Sequence, residues 1–113
     1  MKRMLPLLAA LPLVATATPT LQCDVSPVTK VFGTVPWLVY SCDDASSIVL
    51  VSAPDSPAMP FYFSFTLKDG SYVLSGEGTG SKAVTDATFK ELKALYATDI
   101  QSLRHETIAV KKH

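Results

Sequence analysis

The 113-residue chain is poor in the side chains that most directly carry chemistry: it has two histidines, two cysteines and one tryptophan. His105 lies in a helical stretch and His113 is the last residue; a lone helical imidazole is far more often a surface or interface residue than a general base. No serine sits in a nucleophile-elbow pattern, and no acid, base and nucleophile set assembles from the rest, so no catalytic residue is expected. Basic residues form no stripe. Outside the first three residues the adjacent basic pair is Lys111-Lys112, at the chain end, which excludes a nucleic-acid footprint. Asp43, Asp44 and Asp55 fall in turns, but no loop has the ligand spacing of a calcium site. No metal and no cofactor is expected. No apolar run reaches the roughly 20 residues that a membrane-spanning helix needs.

What the chain does have begins at its N-terminus. Lys2 and Arg3 precede an apolar run from Leu5 to Val14, and Ala15-Thr16-Ala17 follows with small residues at both positions that a signal peptidase reads. Pro6 and Pro12 disfavour a regular core helix there. The pattern predicts a signal peptide over residues 1–17, cleaved before Thr18, and an exported protein, periplasmic or secreted. Lipidation of Cys23 is the weaker reading, because bulky Gln22 stands where a small residue belongs. Removing seventeen of 113 residues leaves 96, enough for a single domain (18–113). That domain carries eight basic and ten acidic residues.

Cys23 and Cys42 both survive cleavage. In an oxidising compartment a pair of cysteines in a small exported domain is expected to form a disulfide, and the metal-site alternative lacks further ligands nearby.

From Val28 onward a strand-rich half precedes a helical tail. Val28–Phe32 and Trp37–Cys42 read as strands, the second rich in aromatic and β-branched residues. Ser47–Ala53 is apolar without alternation, as expected for a central strand covered on both faces. Phe61, Phe63, Phe65 and Leu67 alternate with Tyr62, Ser64, Thr66 and Lys68, the period of a half-buried strand. Asp69-Gly70 is a preferred two-residue hairpin turn, and Tyr72–Ser75 returns. Beyond it, Phe89, Leu92 and Tyr96 share one face of a helix capped by Thr85 or Asp86. Thr98-Asp99-Ile100-Gln101 opens a second helix after a break near Ala97, with Ile100, Leu103 and Ile108 as its apolar stripe. The expected fold is α+β: an antiparallel meander of four or five strands with two C-terminal helices packed on one face. An all-β barrel with a short tail is the alternative.

Gly76–Lys82 (GEGTGSK) follows a strand and precedes a helix, the context of a phosphate-binding loop, but neither its lysine nor its glycine spacing fits such a loop. It reads as a flexible hinge. The stretch from Ala53 to Pro60 offers more. Pro54, Pro57 and Pro60 stiffen it, Met59 is its one large apolar residue, and it leads into the aromatic strand. A stiff loop loses little entropy on binding, which makes these four residues a candidate contact loop for another envelope or secreted protein.

The stretch from Tyr40 to Lys82 carries Tyr40-x-Cys42-Asp43, an apolar strand, then Leu67-Lys68-Asp69-Gly70-Ser71-Tyr72-Val73-Leu74 and Ser75-Gly76. In this it resembles the periplasmic inhibitors of c-type lysozyme, small exported β-barrels that insert a loop into the enzyme's cleft. The resemblance implies a contact at Ser75 and Gly76. The chain departs from that family's pattern in having no tyrosine after Gly76, no second lysine-glycine loop, and helices in place of the closing strands.

Overall fold

The computed structural model describes residues 21–111; the leader expected over residues 1–17 and its cleavage point lie outside the described residues. Five strands, β1 (Val25–Phe32), β2 (Val35–Ser41), β3 (Ile48–Ser52), β4 (Phe61–Lys68) and β5 (Ser71–Gly78), are followed by two helices, α1 (Lys82–Lys93) and α2 (Ala97–Lys111). The strands lie in chain order in one sheet and every neighbouring pair is antiparallel. This is the α+β meander that the periodicities predict.

Local chemistry explains the turns. Asp69 and Gly70 both have positive φ (52° and 84°), as does the Gly33-Thr34 pair between β1 and β2 (60° and 69°). Turns of that hand match the twist of the strands they join. Between β2 and β3 the Asp44 carboxylate accepts the backbone N–H groups of Ser46 and Ser47, at 2.9 and 2.7 Å, and so replaces ladder partners that the turn lacks. Cys23 and Cys42 are disulfide-bonded and staple the open end of the β1–β2 hairpin.

The core lies between the sheet and the helices. Trp37, Val39, Ile48, Leu50, Phe63 and Phe65 meet Leu92, Ile100 and Leu103. The Trp37 indole N–H donates to the Phe32 carbonyl at 3.1 Å, so its burial leaves no orphaned donor. Helix α1 approaches the β1–β2 turn closely enough that any side chain at Gly33 would overlap Thr88, and the Gly33 N–H donates to Glu91 Oε1 at 2.8 Å. Ser41 of β2 and Thr107 of α2 share a buried hydroxyl–hydroxyl hydrogen bond, and Thr107 also donates to the Arg104 carbonyl at 2.6 Å.

Several details differ from the expectations. Strand β3 is covered on one face only: Ile48, Leu50 and Ser52 are buried, while Val49 and Val51 are half-buried on the open face. Both helices do pack on one face of the sheet, as expected. The expected hinge at Gly76–Lys82 begins as strand, since Gly76, Glu77 and Gly78 pair with Phe63, Tyr62 and Phe61. Only Thr79–Ser81 connects β5 to α1. Helix α1 starts at Lys82 rather than near Thr85, because the Thr85 N–H already bonds to the Ser81 carbonyl and the Thr85 side chain turns inward to be buried. Leu92 is fully buried, whereas Phe89 is 38% and Tyr96 77% exposed, so the aromatic pair does not share its burial. Tyr96 stands in the link, where its N–H donates to Asp99 Oδ2 at 2.8 Å. That bond is the returning half of a capping box, two residues earlier than the pattern implies.

Candidate functional site

The chain from Ala53 to Pro60 crosses the end of the sheet as a hydrogen-bonded loop. The Ser56 N–H donates to the Ala53 carbonyl at 3.1 Å and the Met59 N–H to the Ser56 carbonyl at 3.0 Å, while Ser56 Oγ accepts the Ala58 N–H at 3.1 Å. Ala58 is fully buried and anchors the loop against Gly80, where an added Cβ would overlap the Ala58 carbonyl. The Pro60 carbonyl accepts both Thr79 and Gly80 N–H groups, at 2.9 and 3.1 Å, and the Pro57 carbonyl accepts the Ser81 N–H at 2.9 Å. At the loop's exit the Phe61 N–H donates to Ser52 Oγ at 3.2 Å. The Met59–Pro60 peptide is cis. A loop with this many backbone partners presents its side chains in one arrangement.

Met59 is 53% exposed on that frame. With Pro60, Phe61, Val51 and Tyr62 it walls a shallow, mainly apolar groove of about 660 Å³. Glu77 and Gly78 complete the lining. Val51, Tyr62 and Glu77 are cross-strand neighbours on the open face, which is why three separate strands contribute to one wall. The Tyr62 hydroxyl donates to Glu77 Oε1 at 3.2 Å. That hydrogen bond and the negative charge of Glu77, with slight desolvation, raise the Tyr62 phenol above its ordinary value of 10.0. The Tyr62 phenol therefore stays protonated at physiological pH.

The candidate residues separate clearly. Met59 and Pro60 line the groove; Pro54 and Pro57 are exposed on the loop but do not line it. Ser75 is exposed on the open face, where its Oγ shares a hydrogen bond with Ser64 Oγ at 3.0 Å. Gly76 lies in β5 under the Phe61 and Phe63 rings, which occupy the space a side chain would need. Neither Ser75 nor Gly76 reaches the groove, yet the next residues of the same strand do. Val51, Tyr62 and Glu77 are the groove residues that the loop's sequence does not point to. Their signal is the two-residue period of β3, β4 and β5, and only the register says that the three positions meet.

Asp43 and Asp44 belong to the β2–β3 turn and Asp55 to the loop at the opposite end of the sheet, so the three acids do not meet. Among the described residues no group of three acidic, histidine or cysteine side chains is placed to hold a metal ion. His105 is exposed on α2. Among the described residues no helix is long and apolar enough to cross a membrane. Chemically the groove offers an apolar wall, one carboxylate and backbone edges, a surface suited to contact. No family model matches this chain, and neither a curated protein nor a solved structure matches it.

Proposed function

We propose that the mature chain is an exported, non-enzymatic binding protein of the cell envelope or the secreted space, and that it grips another protein through the groove beneath Met59. The observation that carries this reading is an exposed methionine held on a hydrogen-bonded loop above apolar walls. A large apolar side chain fixed at a surface contributes contact area without an ordering cost at the moment of binding, and methionine adapts to imperfectly matched partners. The Tyr62–Glu77 pair supplies a polar rim. Export is supported by the leader pattern and by the disulfide, since disulfides persist in oxidising compartments. The same bond argues against a lipoprotein, because a cysteine joined to Cys42 has no thiol left to acylate. The intact mass of the exported protein should begin at Thr18.

Capture from envelope extract with three baits tests the binding site. Met59→Asp should abolish capture of the partner that the unaltered chain retains, and it should leave thermal unfolding nearly unchanged. Ser75→Arg should leave capture intact. The opposite outcome, with Ser75→Arg alone disruptive, would favour the lysozyme-inhibitor reading, which inhibition of purified c-type lysozyme then checks directly. If neither variant alters capture, the groove is not the contact surface.

A further inference from the structure

The sheet has two edges, and they are built differently. Strand β1 carries Pro27 and Lys30, its register with β2 is broken by an irregularity between Val25 and Val28, and α2 packs against it. Proline, lysine, bulges and a covering helix are the devices by which proteins keep an edge from pairing with another chain. Strand β5 has none of them. Its sequence, SYVLSGEG, contains no proline and one formal charge, and among the described residues no strand pairs with its outer side. The helices lie chiefly over β1, β2 and β3. Beside β5 they leave an apolar groove of about 560 Å³ whose lining includes Phe65, Tyr72, Leu74, Phe89 and Tyr96.

The free hydrogen-bonding groups of β5 follow from its turn. Lys68 and Ser71 flank a two-residue hairpin loop, so they form a hydrogen-bonded pair, and Val73, Ser75 and Glu77 repeat that inward pairing with β4. The N–H and C=O groups of Tyr72, Leu74 and Gly76 therefore point away from the sheet.

We propose that β5 is a self-association strand: two copies of this chain pair β5 to β5, antiparallel and centred on Leu74, into one continuous ten-stranded sheet. A twofold axis at Leu74 sets Leu74 against Leu74 of the partner, and the outward groups of Tyr72 against those of the partner's Gly76. The two leucines then meet over the apolar groove on the inner face. On the open face Val73 stands opposite the partner's Ser75, and Ser71 opposite the partner's Glu77. Lys68 is the cross-strand neighbour of Ser71 on that same face, so each Lys68 reaches the partner's Glu77 across one small serine. This register brings Lys68 near the partner's Glu77 twice, once at each end of the paired strands. Charge complementarity of this kind selects a second copy of the chain over an arbitrary extended peptide. The interface shares Glu77 with the rim of the Met59 groove but none of the loop itself, and it stands whether or not that loop binds a partner.

Sedimentation equilibrium on the disulfide-intact chain over residues 18–113 tests the proposal. The unaltered chain should sediment as a dimer at micromolar concentration. Leu74→Pro removes an N–H that points to the free edge and none that pairs with β4, so the variant should be a monomer with a β-sheet circular dichroism spectrum retained. Lys68→Glu and Glu77→Lys should each weaken the dimer by about three- to tenfold, and the double exchange should restore it. This charge cycle decides the matter even if Leu74→Pro fails to fold. A chain that is monomeric throughout overturns the proposal, as does a dimer indifferent to both the proline and the charge cycle.

Discussion

Asp44 shows how a single side chain ties a turn to solution conditions. Partial burial raises its carboxyl pKa, but the hydrogen bonds from the Ser47 hydroxyl and from the Ser47 and Ser46 backbone outweigh this and hold it below the ordinary 3.8. A carboxyl whose folded pKa is depressed contributes stability that is fully present above the unfolded value, and the contribution is lost as pH falls through the folded value. Because Asp44 is exposed, solvent screening limits the gain to about 1 kcal/mol or less. Asp44→Asn should thus lower stability slightly at neutral pH, and the difference from the unaltered chain should vanish as pH falls below about 4. Urea unfolding at a series of pH values measures this directly; a difference that persists at low pH would place the effect in the turn's shape, not its charge. Residue by residue, legibility was uneven. That the Pro54–Pro60 stretch crosses the surface follows from its prolines, whereas the burial of Ala58 beside exposed Met59 does not, nor does the inward turn of Thr85 and Thr88, because threonine is equally at home on either side of a helix.

At the scale of elements, the helices separate positions that periodicity groups together. Phe89 and Leu92 lie three residues apart on one helical face, yet Leu92 is fully buried and Phe89 is 38% exposed. The cause is that α1 leans toward the β1–β2 turn, where Gly33 lets it approach, and leaves its β5 side open. Leu92→Ala should cost about 2–5 kcal/mol, as for other emptied core sites. Phe89→Ala should cost about 1 kcal/mol, in keeping with a side chain that keeps solvent contact. Denaturant unfolding of the two variants, compared at one temperature, checks the ratio; equal losses would mean that α1 sits over β4 and β5 instead. The hairpin at Asp69-Gly70 was fully legible, since the turn residues and the flanking alternation specify each other. The glycine segment was not. Its composition matches a hinge, and only pairing with β4 makes Gly76–Gly78 a strand.

For the whole molecule, the disulfide and the sheet address the same difficulty: a domain of this size buries a modest fraction of its surface. Closing a loop across a sequence separation of 19 residues should stabilise the fold by about 3 kcal/mol on the chain-entropy account. Cys23→Ala combined with Cys42→Ala should lower stability by that amount while keeping a single unfolding transition. Calorimetry of the oxidised chain and the double variant tests both parts, and two separate transitions would mean that the helices unfold apart from the sheet.

Sequence alone determined the local geometry of this protein and the order of its elements. The period-two run in β4, the positive-φ turn at Asp69-Gly70, the proline-stiffened loop and the later helical period all depend on neighbours within a few residues, and such interactions are written in adjacent side chains. It also determined that two cysteines were available to pair. Tertiary structure alone decided which face of the sheet the helices cover, why Val49 and Val51 remain half open, and how Val51, Met59, Tyr62 and Glu77 come to share one groove. Those outcomes depend on strand register and on a close approach at Gly33, and both join residues that are distant along the chain. A one-residue slip in register would send every side chain of a strand to the opposite face, so no local pattern can specify where three strands meet.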